Sequence, residues 1–310
     1  MTKILFIVGP TASGKSALAL ACARRVGSEV ISCDSMQIYR HMDIGTAKTT
    51  AQEADGVPIA LTDIADPESE FSAFEYAEAA VSEIDRLASC GRLPIFAGGT
   101  GLYAHSVIYP FSFGAEKNER VREELERELR ERGAEALHAE LAAADPQDAA
   151  KIHPNNVKRL LRALEILRTT GAVKPSGENA EMRYSVKMIF LLPPRDKLYE
   201  AIDRRVETMF ELGLEDEVRS LVYDRGVDFK SQSMQAIGYR EFADYFSGEI
   251  GMNELKDRIK RDTRRYAKRQ ITWFSRYKFA VTVDPCSESL ESMTDIALSD
   301  AGYTENRSQS

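Results

Sequence analysis

Gly9-Pro10-Thr11-Ala12-Ser13-Gly14-Lys15-Ser16 satisfies G-x-x-x-x-G-K-[ST], and it stands between a short apolar run, Lys3 to Val8, and the helix-forming Ala17-Leu18-Ala19-Leu20-Ala21. Strand, glycine turn and helix start are the setting this motif needs. The glycines let successive backbone N–H groups wrap an anion at a helix N-terminus, Lys15 adds a point charge, and the Ser16 hydroxyl is placed to hold Mg2+. A di- or triphosphate ligand is expected. The motif alone does not decide between ATP and another diphosphate ester, and a ligand-free glycine turn is the bland alternative.

Further strands are expected at Glu29–Ser32, Pro58–Leu61, Leu93–Ala97, Val186–Leu192 and Ala280–Val283, with a helix over Ala73–Leu87. Continuous apolar strands alternating with helices give a parallel sheet covered on both faces. The alternation stops after Phe113. A charged helical stretch runs from Glu119 to about Gly177, with Val121, Leu125 and Leu129 at helical spacing, and strand signal returns at Val186. The expected architecture is therefore α/β: a P-loop NTPase-like parallel sheet core with a helical insertion domain and C-terminal helices. Residues 1–115 form the first part of the core, 116–184 the insertion, and 185–310 the completion of the core with basic C-terminal helices. Those helices are expected to begin near Leu198, Ser233 and Asn253, punctuated by Gly213, Gly226, Gly238 and Gly251. Thr304–Ser310 is expected to be disordered.

A net charge of −8 argues against a protein that coats nucleic acid nonspecifically, because a phosphate backbone needs a positive surface. The charge is segregated, however. Lys256 to Lys278 holds ten Lys/Arg against two Asp, a local +8, which leaves −16 on the rest of the chain. Cys22, Cys33, Cys90 and Cys286 form no C-x-x-C pair and read as reduced thiols, none at zinc-ligand spacing from a histidine. No signal peptide precedes Lys3, and no apolar run approaches the roughly 20 residues that span a bilayer. A cytoplasmic chain without membrane contact is expected.

The second strand ends in Ile31-Ser32-Cys33-Asp34-Ser35-Met36-Gln37, which places the Asp34 carboxylate at a strand's carboxyl end, where open α/β sheets bind ligands. It could take a proton from a nucleophile or hold Mg2+ through water; a helix cap or loop role is the alternative. Phe96-Ala97-Gly98-Gly99-Thr100-Gly101 also follows a strand, and its small residues allow close approach of a ligand or simply a tight turn. No strand ending in a clear Walker-B Asp is evident, which weakens an ordinary ATPase reading.

GPTASGKS at 9–16, ISCDSMQIYRHMDIGTAK at 31–48, LPIFAGGTGLY at 93–103, IHPNNVKRLLRALE at 152–165, AIGYRE at 236–241 and TRRYAKRQITWF at 263–274 together resemble tRNA dimethylallyltransferase, also called tRNA isopentenyltransferase. Six blocks in the family's order cover essentially the whole chain. The resemblance implies Mg2+ dependence and transfer of the dimethylallyl group of dimethylallyl diphosphate to the N6 amine of the adenosine immediately 3′ of the anticodon. It makes Asp34 the base, Thr11 a hydroxyl contacting the bridging oxygen, and Arg205, beside Arg204, a clamp on the diphosphate. The diphosphate itself falls to Gly9–Ser16, with Ser16 on the metal.

For the tRNA anticodon stem-loop the resemblance points to Asp34, Ser35, Met36, Gln37, Thr100, Lys158, Arg159, Leu160, Leu161 and Arg162. From the residues alone, Asn155 or Asn156 can cap a helix whose apolar face is Val157, Leu160, Leu161, Leu164 and Leu167, leaving Lys158, Arg159, Arg162 and Arg168 outside. Arg264, Arg265, Lys268 and Arg269 are further phosphate candidates, while Tyr266, Trp273 and Phe274 suit a core better than a stacking platform. His41 and His105 read as loop or packing residues. A monomer is expected. Two other readings stay open: a small-molecule P-loop kinase, whose lid arginines would clamp donor phosphates, and a nucleotide-switched RNA-binding protein without chemistry.

Overall fold

The structure, a computed structural model, describes residues 1–110, 118–170 and 181–299. Phe113, Gly177 and Thr304–Ser310, on which sequence expectations fell, lie outside the described residues. The chain divides into two compact units, Met1–Tyr109 with Met182–Ser310, and Pro110–Glu181.

In the first unit six strands form one parallel sheet in the order β3-β2-β4-β1-β5-β6. They are β1 (Lys3–Val8), β2 (Val30–Ser32), β3 (Ile59–Ala60), β4 (Ile95–Gly98), β5 (Ser185–Leu191) and β6 (Val281–Val283). All six expected strands form, with ends shifted by a residue or two, where a strand's last hydrogen bonds are weakest. β1 is central: Leu5 faces Ile95 on one side and Lys187 on the other. Its side chains alternate, so an unbroken apolar run serves two cores at once. Leu5 and Ile7 pack on helices α1 (Lys15–Val26) and α12 (Leu290–Leu298) through Leu18, Ala19, Met293 and Ala297. Ile4, Phe6 and Val8 pack on α3 (Ala73–Ser89), α4 (Gly101–Ile108) and the end of α11 (Met252–Phe274). There Phe6 stacks on Phe96 with ring centroids 4.5 Å apart. Met182 and Tyr184, at the end of the expected insertion, also pack on this core.

A third apolar cluster joins α8 (Arg195–Glu211), α9 (Leu214–Arg219), α10 (Phe242–Phe246) and α11 to the loop around Ile38–Met42, which precedes the short α2 (Ala51–Ala54). The helix expected to begin near Ser233 is only a single 3-10 turn, Ser233–Gln235. The Ser233 hydroxyl donates to the Pro67 carbonyl, and Gly238, at φ 94°, turns the chain before α10 can start.

The second unit is helical: α5 (Glu119–Ala144), broken at Gly133 (φ 78°), α6 (Pro146–Ala149) and α7 (Val157–Thr170). Leu125, Leu137, Leu141, Leu160, Leu161 and Leu164 form its core. Of the two candidate caps, Asn156 accepts the Arg159 N–H at 3.4 Å. Arg168 is tied to Glu128 and Glu140 at 2.7 and 2.6 Å.

The loops after β1, β2 and β4 leave the same end of the sheet, and the last two are in backbone contact. Cys33 N–H donates to the Ala97 carbonyl at 2.8 Å and Thr100 N–H to the Cys33 carbonyl at 3.1 Å. A Cβ on Gly98 would stand 2.0 Å from the Cys33 oxygen, so no side chain fits. Gly98→Ala is expected to cost about 2 kcal/mol or more through overpacking, a loss of roughly 4 °C or more in melting temperature. A melting curve superimposable on that of the unaltered protein would show that β2 and β4 can separate freely here.

Candidate active site

The loop after β1 is held open by geometry. A Cβ on Gly9 would meet the Leu191 carbonyl oxygen at 2.5 Å, and Ala12 and Gly14 adopt φ 61° and 84°. α1 then begins at Lys15 with no side-chain cap and no acidic residue in its first turn, so its N-terminal dipole is left for a ligand. The Ser13 hydroxyl is buried without a partner. Lys15 Nζ donates to the Pro10 carbonyl at 2.6 Å. Gln270 of α11 fixes the loop from outside: its Oε1 accepts the Thr11 N–H at 2.8 Å, and its Nε2 donates to the Gly99 carbonyl at 3.0 Å. One side chain thus ties the glycine loops after β1 and β4 to the basic helix.

These loops enclose a cavity of about 280 Å3 lined by Thr11, Lys15 and Ser16, by Asp34 to Gln37, and by Arg205. Of the adjacent pair, Arg205 reaches the cavity and Arg204 is exposed. Asp34 Oδ1 accepts the Met36 N–H at 3.0 Å, and the Ser35 N–H donates to Thr100 Oγ1 at 2.9 Å. Met36, Val206, Met209, Ala236, Ile237 and Ile259 supply an apolar wall. Dehydration in this cavity, with Arg205 nearby, pulls the Lys15 ammonium down to about 7, while Asp34 pulls the other way. Arg205 is lowered for the same first reason. The site thus holds two cations short of counter-charge.

The remaining predicted residues divide. Gly9, Pro10, Ala12, Ser13 and Gly14 shape the loop, with the Ala12 side chain packed against Leu198, Ile202 and Ala267. Arg269 lines the cavity, its guanidinium 5.5 Å from the Tyr266 ring centre. Arg265 is exposed, whereas Arg264 is engaged by Asp203 and lies over Tyr199, so it is not an open phosphate contact. Lys268 lines a separate, mainly apolar cleft beside Pro194 and Tyr199. In the second unit Lys158 and Arg159 are exposed and Arg162 pairs with Glu165 at 2.9 Å. Leu160 and Leu161 correct an expectation: at 0% and 2% exposure they belong to that unit's core, and their side chains offer no surface to an RNA. Phe274 is core, His41 sits in an exposed loop, and His105 packs on Tyr109 and meets the Tyr277 hydroxyl at 3.2 Å.

Sequence reasoning missed Tyr266 and Gln270 as site residues. Ile259, Thr263, Tyr266 and Gln270 line the cavity at spacings of four, three and four, one face of a helix whose cations are conspicuous and whose cavity face is not. Gly45–Ala47, Met209, Ile237 and Arg240 also line the cavity; all but Met209 lie within quoted blocks, and Gly45–Ala47 and Ile237 carry no side chain whose type points to chemistry in the sequence.

A profile of the IPP transferase family matches residues 37–277. The tRNA dimethylallyltransferase of Bacillus subtilis strain 168 is 47% identical over 283 residues, covering 90% of this chain and 89% of that protein. The chain belongs to the IPP transferase family. Among solved structures, a full-length tRNA isopentenylpyrophosphate transferase from Bacillus halodurans aligns at 45% identity with a TM-score of 0.73, over 96% of this chain and 95% of that one. A eukaryotic dimethylallyltransferase crystallised while acting on tRNA aligns at 26% identity with a TM-score of 0.82, over 96% of this chain and 78% of its own. The P-loop NTPase-like core is therefore that of the IPP transferases.

No group of three or more His, Cys, Asp or Glu side chains among the described residues could hold a metal ion. The Ser16 hydroxyl in the cavity, with Asp34 opposite, instead suits a divalent ion carried largely by phosphate oxygens and water. For this IPP transferase, competitive labelling with acetic anhydride is expected to give Lys15 a titration midpoint near 7 in the empty site. The amine is charged below that midpoint and neutral above it, so an anion is gripped less firmly as pH rises unless it restores the proton. Saturating inorganic diphosphate should therefore move the midpoint upward by more than one unit. An ordinary lysine midpoint without ligand would contradict the dehydrated site.

Proposed function

We propose that the chain transfers the dimethylallyl group of dimethylallyl diphosphate to the N6 amine of the adenosine 3′ of the anticodon in tRNA, releasing diphosphate. One observation carries this reading: a single cavity joins the uncompensated cations Lys15 and Arg205, an apolar wall, and the Asp34 carboxylate. That is the order of parts such a transfer needs. An allylic diphosphate departs with the bonding electron pair once its charge is neutralised, which the loop amides, Lys15 and Arg205 can supply; Thr11 lies at the same end. Met36, Val206 and Met209 can shelter the isoprenoid group. The adenine amine attacks as the C–O bond breaks, and its proton passes to Asp34, whose second oxygen is left available when Oδ1 holds the Met36 N–H. Mg2+, held through Ser16, would add positive charge beside the diphosphate oxygens.

The exposed cations Lys158, Arg159 and Arg265 suit tRNA phosphates, with Arg269 and Tyr266 at the cavity where the base would enter. No helix among the described residues is long and apolar enough to cross a membrane. We assign the reaction to the cytoplasm. A kinase acting on a polar small molecule would have little use for the apolar wall beside the base.

Incubation with Mg2+, unmodified tRNA and labelled dimethylallyl diphosphate or labelled ATP tests the reading. Label is expected to pass from the allylic donor to tRNA; label passing from ATP to a small molecule instead would establish the kinase. Asp34→Ala should lower turnover by ~10²–10⁴ while leaving tRNA affinity nearly intact. Unchanged turnover removes Asp34 from the mechanism. Replacing Lys158, Arg159 and Arg265 together by Ala should weaken tRNA binding and reduce the salt slope by about 0.7 for each phosphate no longer neutralised. An unaltered slope would leave these cations as a solvated face.

A further inference from the structure

Glu217, in α9, takes no part in the chemistry above, yet both its carboxylate oxygens are fully engaged. Oε2 accepts the N–H groups of Asp43 and Ile44 at 2.8 and 2.7 Å, and Oε1 accepts the Gly45 N–H at 3.1 Å and the Tyr239 hydroxyl at 2.6 Å. Three successive backbone N–H groups converging on one point form an anion nest, and here the protein fills it with its own carboxylate. Tyr239 closes the arrangement from the other side. Its ring is so near Gly45 that a Cβ there would lie 2.4 Å away, and its phenol, raised by burial, stays protonated and donating.

What the nest holds still is the adjoining cavity wall. Thr46, next in the chain, offers its carbonyl to two side chains of the cavity: Gln37 Nε2 at 3.2 Å and Arg205 at 3.4 Å. Gln37 Nε2 also reaches the Ala47 carbonyl at 3.3 Å, and Ala47 sits at φ 46°, a conformation that a side-chain-bearing residue keeps only when its surroundings impose it. We propose that Glu217, with Tyr239, is a positioning latch that aims Arg205 at the departing diphosphate by fixing the Asp43–Ala47 loop. This gives the AIGYRE segment a purpose beyond its lining residues, and it rests on the reading that the cavity receives a diphosphate. The carboxylate cannot be exchanged for an amide without loss, since the amide NH2 would confront N–H donors.

The latch is tested by calorimetric binding of inorganic diphosphate and by steady-state prenyl transfer. Glu217→Ala and Glu217→Gln should each weaken diphosphate binding and raise KM for the allylic donor about tenfold, with tRNA affinity unchanged. Tyr239→Phe, which keeps the ring against Gly45, should cost about threefold or less. In an Arg205→Ala background, Glu217→Gln should add less than a twofold further loss, because the group it aims is gone. Full additivity of the two substitutions, or a Glu217→Gln protein that binds diphosphate as well as the unaltered one, overturns the latch. A fall in kcat alone, with donor KM unmoved, likewise reduces Glu217 to a structural prop. Failure of the unaltered protein to bind diphosphate overturns instead the reading on which the latch stands.

Discussion

Two cations, Lys15 and Arg205, are held in one dehydrated cavity without an equal number of counter-charges, and much of the site can be understood as the means of keeping them there. An ammonium taken out of water holds its proton less firmly, and burial lowers Lys15 to about 7. The fold resists this in two ways. Lys15 keeps one hydrogen bond to the Pro10 carbonyl, and Asp34 supplies a partial counter-charge from the end of β2, on the far side of β4. Neither matches a diphosphate, which brings several anionic oxygens at once. On the proposed reading, the diphosphate would supply the counter-charge that the fold itself does not.

Holding that arrangement needs support from outside the P-loop, and α11 provides it. One face of this helix gives Ile259, Thr263, Tyr266 and Gln270 to the cavity, while Arg265 and Lys268 lie exposed on the other side. Gln270 is the structural link, since it bonds to backbone on both glycine loops. The same helix therefore shapes the cavity and carries part of the exposed positive surface. Helical periodicity separates the two duties without separating the residues in sequence.

How much of this could be read in advance follows from the range of the interactions. The P-loop, Asp34 and the six strands rest on local patterns: an apolar run, a glycine turn and a following helix are consecutive, so the sequence displays them directly. Arg205 was found through resemblance, and only the structure separates it from Arg204, because one residue along a helix turns a side chain by about 100°. Gln270 was hidden because its partners lie 259 and 171 residues away. The helix expected near Ser233 failed for a similar reason, as contacts from Pro67 and Glu241 outweigh local propensity there. Leu160 and Leu161 illustrate the opposite error: their own helical periodicity already marked them as core, and the motif that contains them drew them into the RNA-facing set.

The apolar wall has a second consequence that binds the design together. An allylic carbon that can leave diphosphate for an amine can equally be captured by water, which is smaller and more abundant. The side chains of Met36, Val206, Met209, Ala236, Ile237 and Ile259 offer no strong hydrogen bonds to a water molecule. On the proposed reaction, the dehydration that depresses Lys15 and Arg205 would be the same property that protects the prenyl group until the base arrives. A wetter site would restore the lysine to its ordinary titration and, on the proposed reaction, would expose the donor to hydrolysis, so the depressed cations and the guarded carbon would be two effects of one exclusion of water.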